Sequence, residues 1–114
     1  MFKITQNPTF SAVVQLTVLG AEEIGIVPMT FKNVTNEQLA KLEADIDTAS
    51  KSGLTDADIL DRVIADWADL VGADEQPLAY SKPALCELLS NHPIASVEIW
   101  RQYKAARLES RVKN

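Results

Sequence analysis

The 114-residue chain predicts an α+β fold, an N-terminal β-hairpin or small antiparallel meander followed by about four α-helices. Three observations carry this. Residues 10 to 18 alternate apolar and polar with period two. A second β-rich run, Ile24 to Phe31, follows after a turn at Gly20-Ala21-Glu22. From Thr35 onward the apolar spacing becomes helical, and Ser, Thr, Gly and Pro stand where helices begin and end. The length suits one domain, divided into a β-rich part (1–34), a helical part (35–110) and a frayed tail (111–114).

In the first strand Phe10, Ala12, Val14, Leu16 and Val18 share one face, which marks a half-buried strand. In the second, Ile24, Ile26, Val27, Met29 and Phe31 supply the apolar side chains. Pro28 cannot donate to a ladder, so this strand is expected at an edge or bulged there. Met1 to Thr5 is a candidate short strand. Thr35-Asn36-Glu37-Gln38 has the Thr-x-x-Gln spacing of a capping box, with Leu39, Leu42 and Ile46 recurring behind it and Gly53 as the stop. Thr55 caps the next predicted helix, with Asp56 and Asp58 in its first turn. Ile59, Leu60, Val63, Ile64 and Trp67 form its stripe, and Gly72 ends it. Ser81 caps a helix through Leu85, Leu88 and Leu89. Pro93 opens the last helix, whose apolar face is read as Ile94, Val97, Trp100 and Tyr103.

Charge is unevenly distributed along the chain. The net charge is −5, but residues 36–76 carry eleven acids against Lys41, Lys51 and Arg62, whereas residues 77–114 carry six bases against three acids. An acidic chain with pI near 4.7 is not a general nucleic-acid binder, because neutralising phosphates takes Lys and Arg. The asymmetry suits docking to a charged partner or to a second copy, acidic middle against basic last helix.

No constellation for catalysis or metal binding emerges. Asp56, Asp58 and Asp61 lack the Gly and distal Glu of a Ca²⁺ loop and fall on a helix. His92 is the one histidine, without Cys or His partners at zinc-ligand spacing. Cys86 stands alone in an apolar run and reads as a buried, inert thiol. The four glycines form no phosphate-cradling motif. No catalytic residue, cofactor or metal site is therefore expected. No apolar stretch is long enough to span a membrane and no signal-peptide pattern is present, so the chain reads as cytosolic. Among the large aromatics, Trp100 and Tyr103, with Arg101, Lys104 and Arg107 around them, are the candidate partner-binding residues, since Trp, Tyr and Arg dominate interface energetics.

Trp67, the acidic Gly-bearing loop, Pro77-Leu78-Ala79-Tyr80-Ser81, the helix of Leu85, Leu88 and Leu89, Pro93, and Tyr103 followed by Ala105-Ala106 occur in an order that resembles the tail assembly chaperones of long-tailed bacteriophages and prophages. Tyr80 stands where the family commonly has Phe. The match is closest over the second half of the chain. The resemblance implies a non-enzymatic protein of the host bacterial cytoplasm, absent from the mature virion. It implies binding to the tape measure protein, which is kept soluble while tail tube protein polymerises around it. It also implies a longer frameshifted form that recruits the tail tube protein, and codons for Val112-Lys113-Asn114 can contain a slippery run of adenines; a homo-oligomer is expected from the charge asymmetry. The alternative is a small structural tail or head-completion protein of the virion.

Overall fold

The computed structural model describes residues 1–109, so the frayed tail expected at 111–114, with Arg111 and Lys113, lies outside the described residues. The fold is α+β. In chain order it runs β1 (Thr9–Thr17), β2 (Ile24–Lys32), α1 (Asn36–Asp47), α2 (Ala49–Ser52), α3 (Asp56–Leu60), β3 (Ile64–Trp67), α4 (Lys82–Asn91) and α5 (Ala95–Glu109). The strands form an antiparallel sheet in the order β1-β2-β3. Met1 to Thr5 form no strand.

β1 and β2 pair without interruption from Thr9 opposite Lys32 to Thr17 opposite Ile24. The connecting turn closes with Ala21 N–H donating to Val18 O at 3.1 Å, and Gly20 supplies the positive φ of 83°. The alternation predicted for β1 holds: Val14 and Leu16 are buried, and Val13, Gln15 and Thr17 are exposed.

Two expectations are corrected here. Pro28 is not on an edge, because β2 is the central strand. Its carbonyl accepts from Ala68 N–H at 2.9 Å, so its nitrogen faces the same side, just where β3 ends and no ladder donor is needed. The bulge occurs further along, between Thr30 and Phe31, opposite β3. The second correction concerns Ile59 to Trp67, expected as one helix running to Gly72. α3 stops at Leu60, a turn through Asp61–Val63 follows, and Ile64–Trp67 joins the sheet as β3. Met29 and Phe31 of β2 pair with Trp67 and Ile64. The third strand satisfies the edge of β2 that a hairpin leaves open, and this outweighs the helical spacing. The part expected to be helical therefore contains a strand, and the described residues form five helices, two of them five residues or shorter.

The helix starts otherwise act as read, but the helix expected from Thr35 to Gly53 is divided at Thr48 into α1 and α2. Thr35 and Gln38 form the capping box of α1, Thr55 and Asp58 form one on α3, and Ser81 accepts from Ala84 N–H on α4. Gly53 ends α2 in the left-handed conformation. Pro93 lies in the turn before α5 rather than inside it. The core fills the space between the inner sheet face and the helices, with Val14, Met29, Phe31, Val63, Ile64, Leu85, Ile99 and Tyr103 excluded from solvent. Cys86, expected to be buried, is exposed on the outer side of α4, because Ala84 and Leu85 are the residues that face inward.

Candidate partner-binding surface

α5 is the element that joins the core to the surface. It packs along β1, and its buried positions are Ala95, Glu98, Ile99 and Tyr103. This inward stripe differs from the one read in the sequence. Ile94 and Val97 remain 43% and 63% exposed, and Trp100 is partly buried beside them. The helix thus has a second apolar stripe that the core does not use.

The five candidate residues separate into three groups. Tyr103 is in the core, its ring 5.1 Å from Phe31 and 5.9 Å from Phe10. Burial pushes its phenol pKa up, so it carries no charge at neutral pH. Arg107 turns toward α1, donating to Val34 O at 3.2 Å and to Asn36 Oδ1 at 2.7 Å. It ties the end of the last helix to the start of the first. Trp100, Lys104 and the exposed Arg101 stay together at the surface. Trp100 stacks on Tyr103 at 5.6 Å, and Lys104 Nζ lies 5.6 Å above the Trp100 ring. The result is a column of aromatic rings rising from the core and ending in a cation.

Beside that column is an open groove. Ile46 and Ala49 form one wall, Ile59 and Leu60 the floor, and Val97 and Trp100 the other wall, around a cavity of about 150 Å³. Asp56 stands at its margin. The groove is predominantly apolar with charge at its rim, the form that receives the apolar face of an amphipathic helix. Ile46, Ile59 and Leu60 were read as core positions. The legible signal was that α5 carries more apolar residues than one stripe needs.

The acidic middle is partly consumed internally. Asp45 is nearly buried between Lys41 at 2.8 Å and Arg62 at 2.5 Å, and the bonds from those two cations, Lys41 first, lower its pKa. Asp58 accepts from Lys82 at 2.5 Å and from Thr55 N–H, which lowers its pKa to about 2. Tyr80 donates to Asp61 at 2.5 Å, and its ring meets Trp67 edge-on at 4.9 Å. Trp67 Nε1–H donates to Leu78 O at 2.7 Å, so the pair fixes the Pro77–Ser81 segment against β3 and α3. Burial, then the bond to Asp61, raises the Tyr80 pKa. Among the described residues no three His, Cys, Asp or Glu side chains converge as metal ligands, and no helix is long and apolar enough to cross a membrane.

No curated protein and no solved structure matches the chain significantly. A family model matches residues 1–114, the whole chain, and its description is phage tail assembly chaperone.

Proposed function

Since the chain belongs to the phage tail assembly chaperone family, we propose that it binds the tape measure protein and keeps it soluble while tail tube protein polymerises around it. The observation that favours this reading is the groove beside Trp100. An elongated helical client exposes apolar stripes that aggregate when unpaired, and a groove walled by Val97, Trp100 and Ile46 covers one such stripe. Arg101 and Lys104 at the surface attract acidic residues flanking it. The role is non-catalytic and belongs to the host cytoplasm before the virion is complete. The tail tube protein is the second partner, engaged through a frameshifted, longer product. No nucleic acid or membrane enters this scheme.

The test is co-expression with the tape measure protein, reading its soluble fraction and co-purification. The native chain retains it in solution. Val97→Asp places a carboxylate in the groove and abolishes co-purification while the far-ultraviolet circular dichroism of the chaperone stays unchanged. Retention of the client by a folded Val97→Asp variant overturns the groove as the site. Recovery of the protein from purified virions by mass spectrometry overturns the chaperone role in favour of a structural one.

A further inference from the structure

The sheet has one guarded half-edge and one open half-edge. Gln102 of α5 accepts from Gln15 N–H at 2.8 Å and donates to Gln15 O at 2.6 Å, as an adjacent strand would. Four residues earlier on α5, the Glu98 carboxylate accepts from Thr17 N–H at 2.9 Å and from Thr17 Oγ1 at 2.6 Å. These contacts show that the backbone groups of Gln15 and Thr17 point away from β2. By the two-residue period of a strand, those of Thr9, Ser11 and Val13 point the same way. No hydrogen bond from a described residue covers them. On the outer face of this stretch Val13 is 63% exposed and stands opposite Pro28 of β2, while Ile26 and Ile24, 59% and 58% exposed, continue the apolar face opposite Gln15 and Thr17.

A strand-shaped apolar segment is available to fill this gap. Residues 1–6 precede β1 as an arm in which Phe2 and Ile4, two apart, are 97% and 99% exposed. Asn33 holds the base of the arm, its N–H donating to Pro8 O at 2.9 Å and its side chain to Asn7 O at 2.7 Å. Folding back on its own β1 would break both bonds and demand a turn through Pro8, so the arm cannot readily serve its own edge.

We propose that the occupant is a second copy of this chain. The arm of each copy adds to the Thr9–Val13 edge of the other, with Phe2 and Ile4 lying on the outer face beside Val13. Reciprocal exchange of this kind is isologous and closes as a twofold dimer. Two such arms with their receiving surfaces bury on the order of 1,500 Å², the size of a standard stable interface. This arrangement differs from one in which the basic last helix meets the acidic middle, part of whose charge, at Asp45 and Asp58, already has internal cation partners. It does not rest on the client reading, and the groove at Trp100 remains open in the dimer.

Sedimentation equilibrium on the full chain at about 100 μM, far above a ~1 μM Kd, tests it. The expected result is a dimer that persists in about 1 M salt, where the Debye length falls to ~3 Å and surface charge pairing is lost. The Phe2→Ser/Ile4→Ser double variant on the donor side and Val13→Lys on the receiving side each raise Kd more than about tenfold without changing circular dichroism. In a Cys86→Ser background, Ile4→Cys with Val13→Cys gives a disulfide-linked dimer on mild oxidation. A monomer under these conditions, a dimer dissolved by salt, or a dimer indifferent to these variants overturns the proposal. Loss of tape measure binding with the dimer intact, or the reverse, separates this inference from the client reading.

Discussion

Glu98 shows how one side chain can stand in for a whole strand. It is only 8% exposed, and its carboxylate receives the N–H and the hydroxyl of Thr17 on the outer edge of β1. Glu98→Ala leaves a partly buried donor without a partner and is expected to cost about 1–3 kcal/mol, read from urea unfolding. Strain elsewhere offers a change of opposite sign. Asp69 and Glu75 have φ of 58° and 62°, a left-handed conformation that disfavours a side chain bearing Cβ. Aspartate tolerates it better than glutamate, so Glu75 is the site to change. Glu75→Gly is expected to raise stability by up to about 1 kcal/mol, seen as an increase in Tm. The residue scale also marks the limit of sequence reading. Tyr103 and Trp100 occupy consecutive positions of one apparent stripe, yet one is in the core and the other on a groove wall. Which of them faces inward depends on where Phe10 and Phe31 place their rings, and spacing within a single helix carries no record of that.

Elements with local signals were legible. α1 begins where Thr35 and Gln38 say it should, Gly53 stops α2, Ser81 starts α4, and the alternation from Phe10 to Thr17 survives as β1. β3 was not legible, because Ile59, Leu60, Val63, Ile64 and Trp67 fit a helical stripe and all are buried in the structure as well. What decides between helix and strand is the open edge of β2 from Met29 to Phe31, thirty and more residues away in the chain, together with the turn that ends α3. The groove was missed for a related reason, since its floor comes from α3 and one wall from α1 and α2. The Trp67 anchor tests the strand assignment directly. Trp67→Phe keeps most of the apolar volume but removes the 2.7 Å bond to Leu78 O. It is expected to cost about 1–3 kcal/mol and to increase hydrogen exchange in residues 68–80 more than in β1. A continuous helix at 56–71 would show no such pattern.

For the whole molecule, acid sensitivity follows from the internal ion pairs. The Asp58 carboxyl has its pKa lowered to about 2 in the folded chain from 3.8, chiefly by Lys82 and then by Thr55. A depressed carboxylate contributes stability that is fully present above the unfolded value and disappears as pH falls through the folded one. Asp45, lowered by Lys41 and Arg62, acts in the same direction. Thermal melts are therefore expected to show Tm level above about pH 5 and falling between pH ~4 and ~2. Asp58→Asn should flatten that decline. The family model reaches the entire chain, so the β-sheet, the groove and the anchored Pro77–Ser81 segment all fall within the matched residues. The closure of β1 by α5 has a consequence in time. Glu98 and Gln102 are separated from the backbone groups they cover by 81 and 87 residues. At about 5–20 residues per second, β1 leaves the ribosome several seconds before its guards exist. During that interval its full edge is exposed, and neighbouring nascent chains on one message have arms at hand to meet it. The proposed exchange of arms would then begin during synthesis, with α5 arriving last to decide how much of each edge stays open.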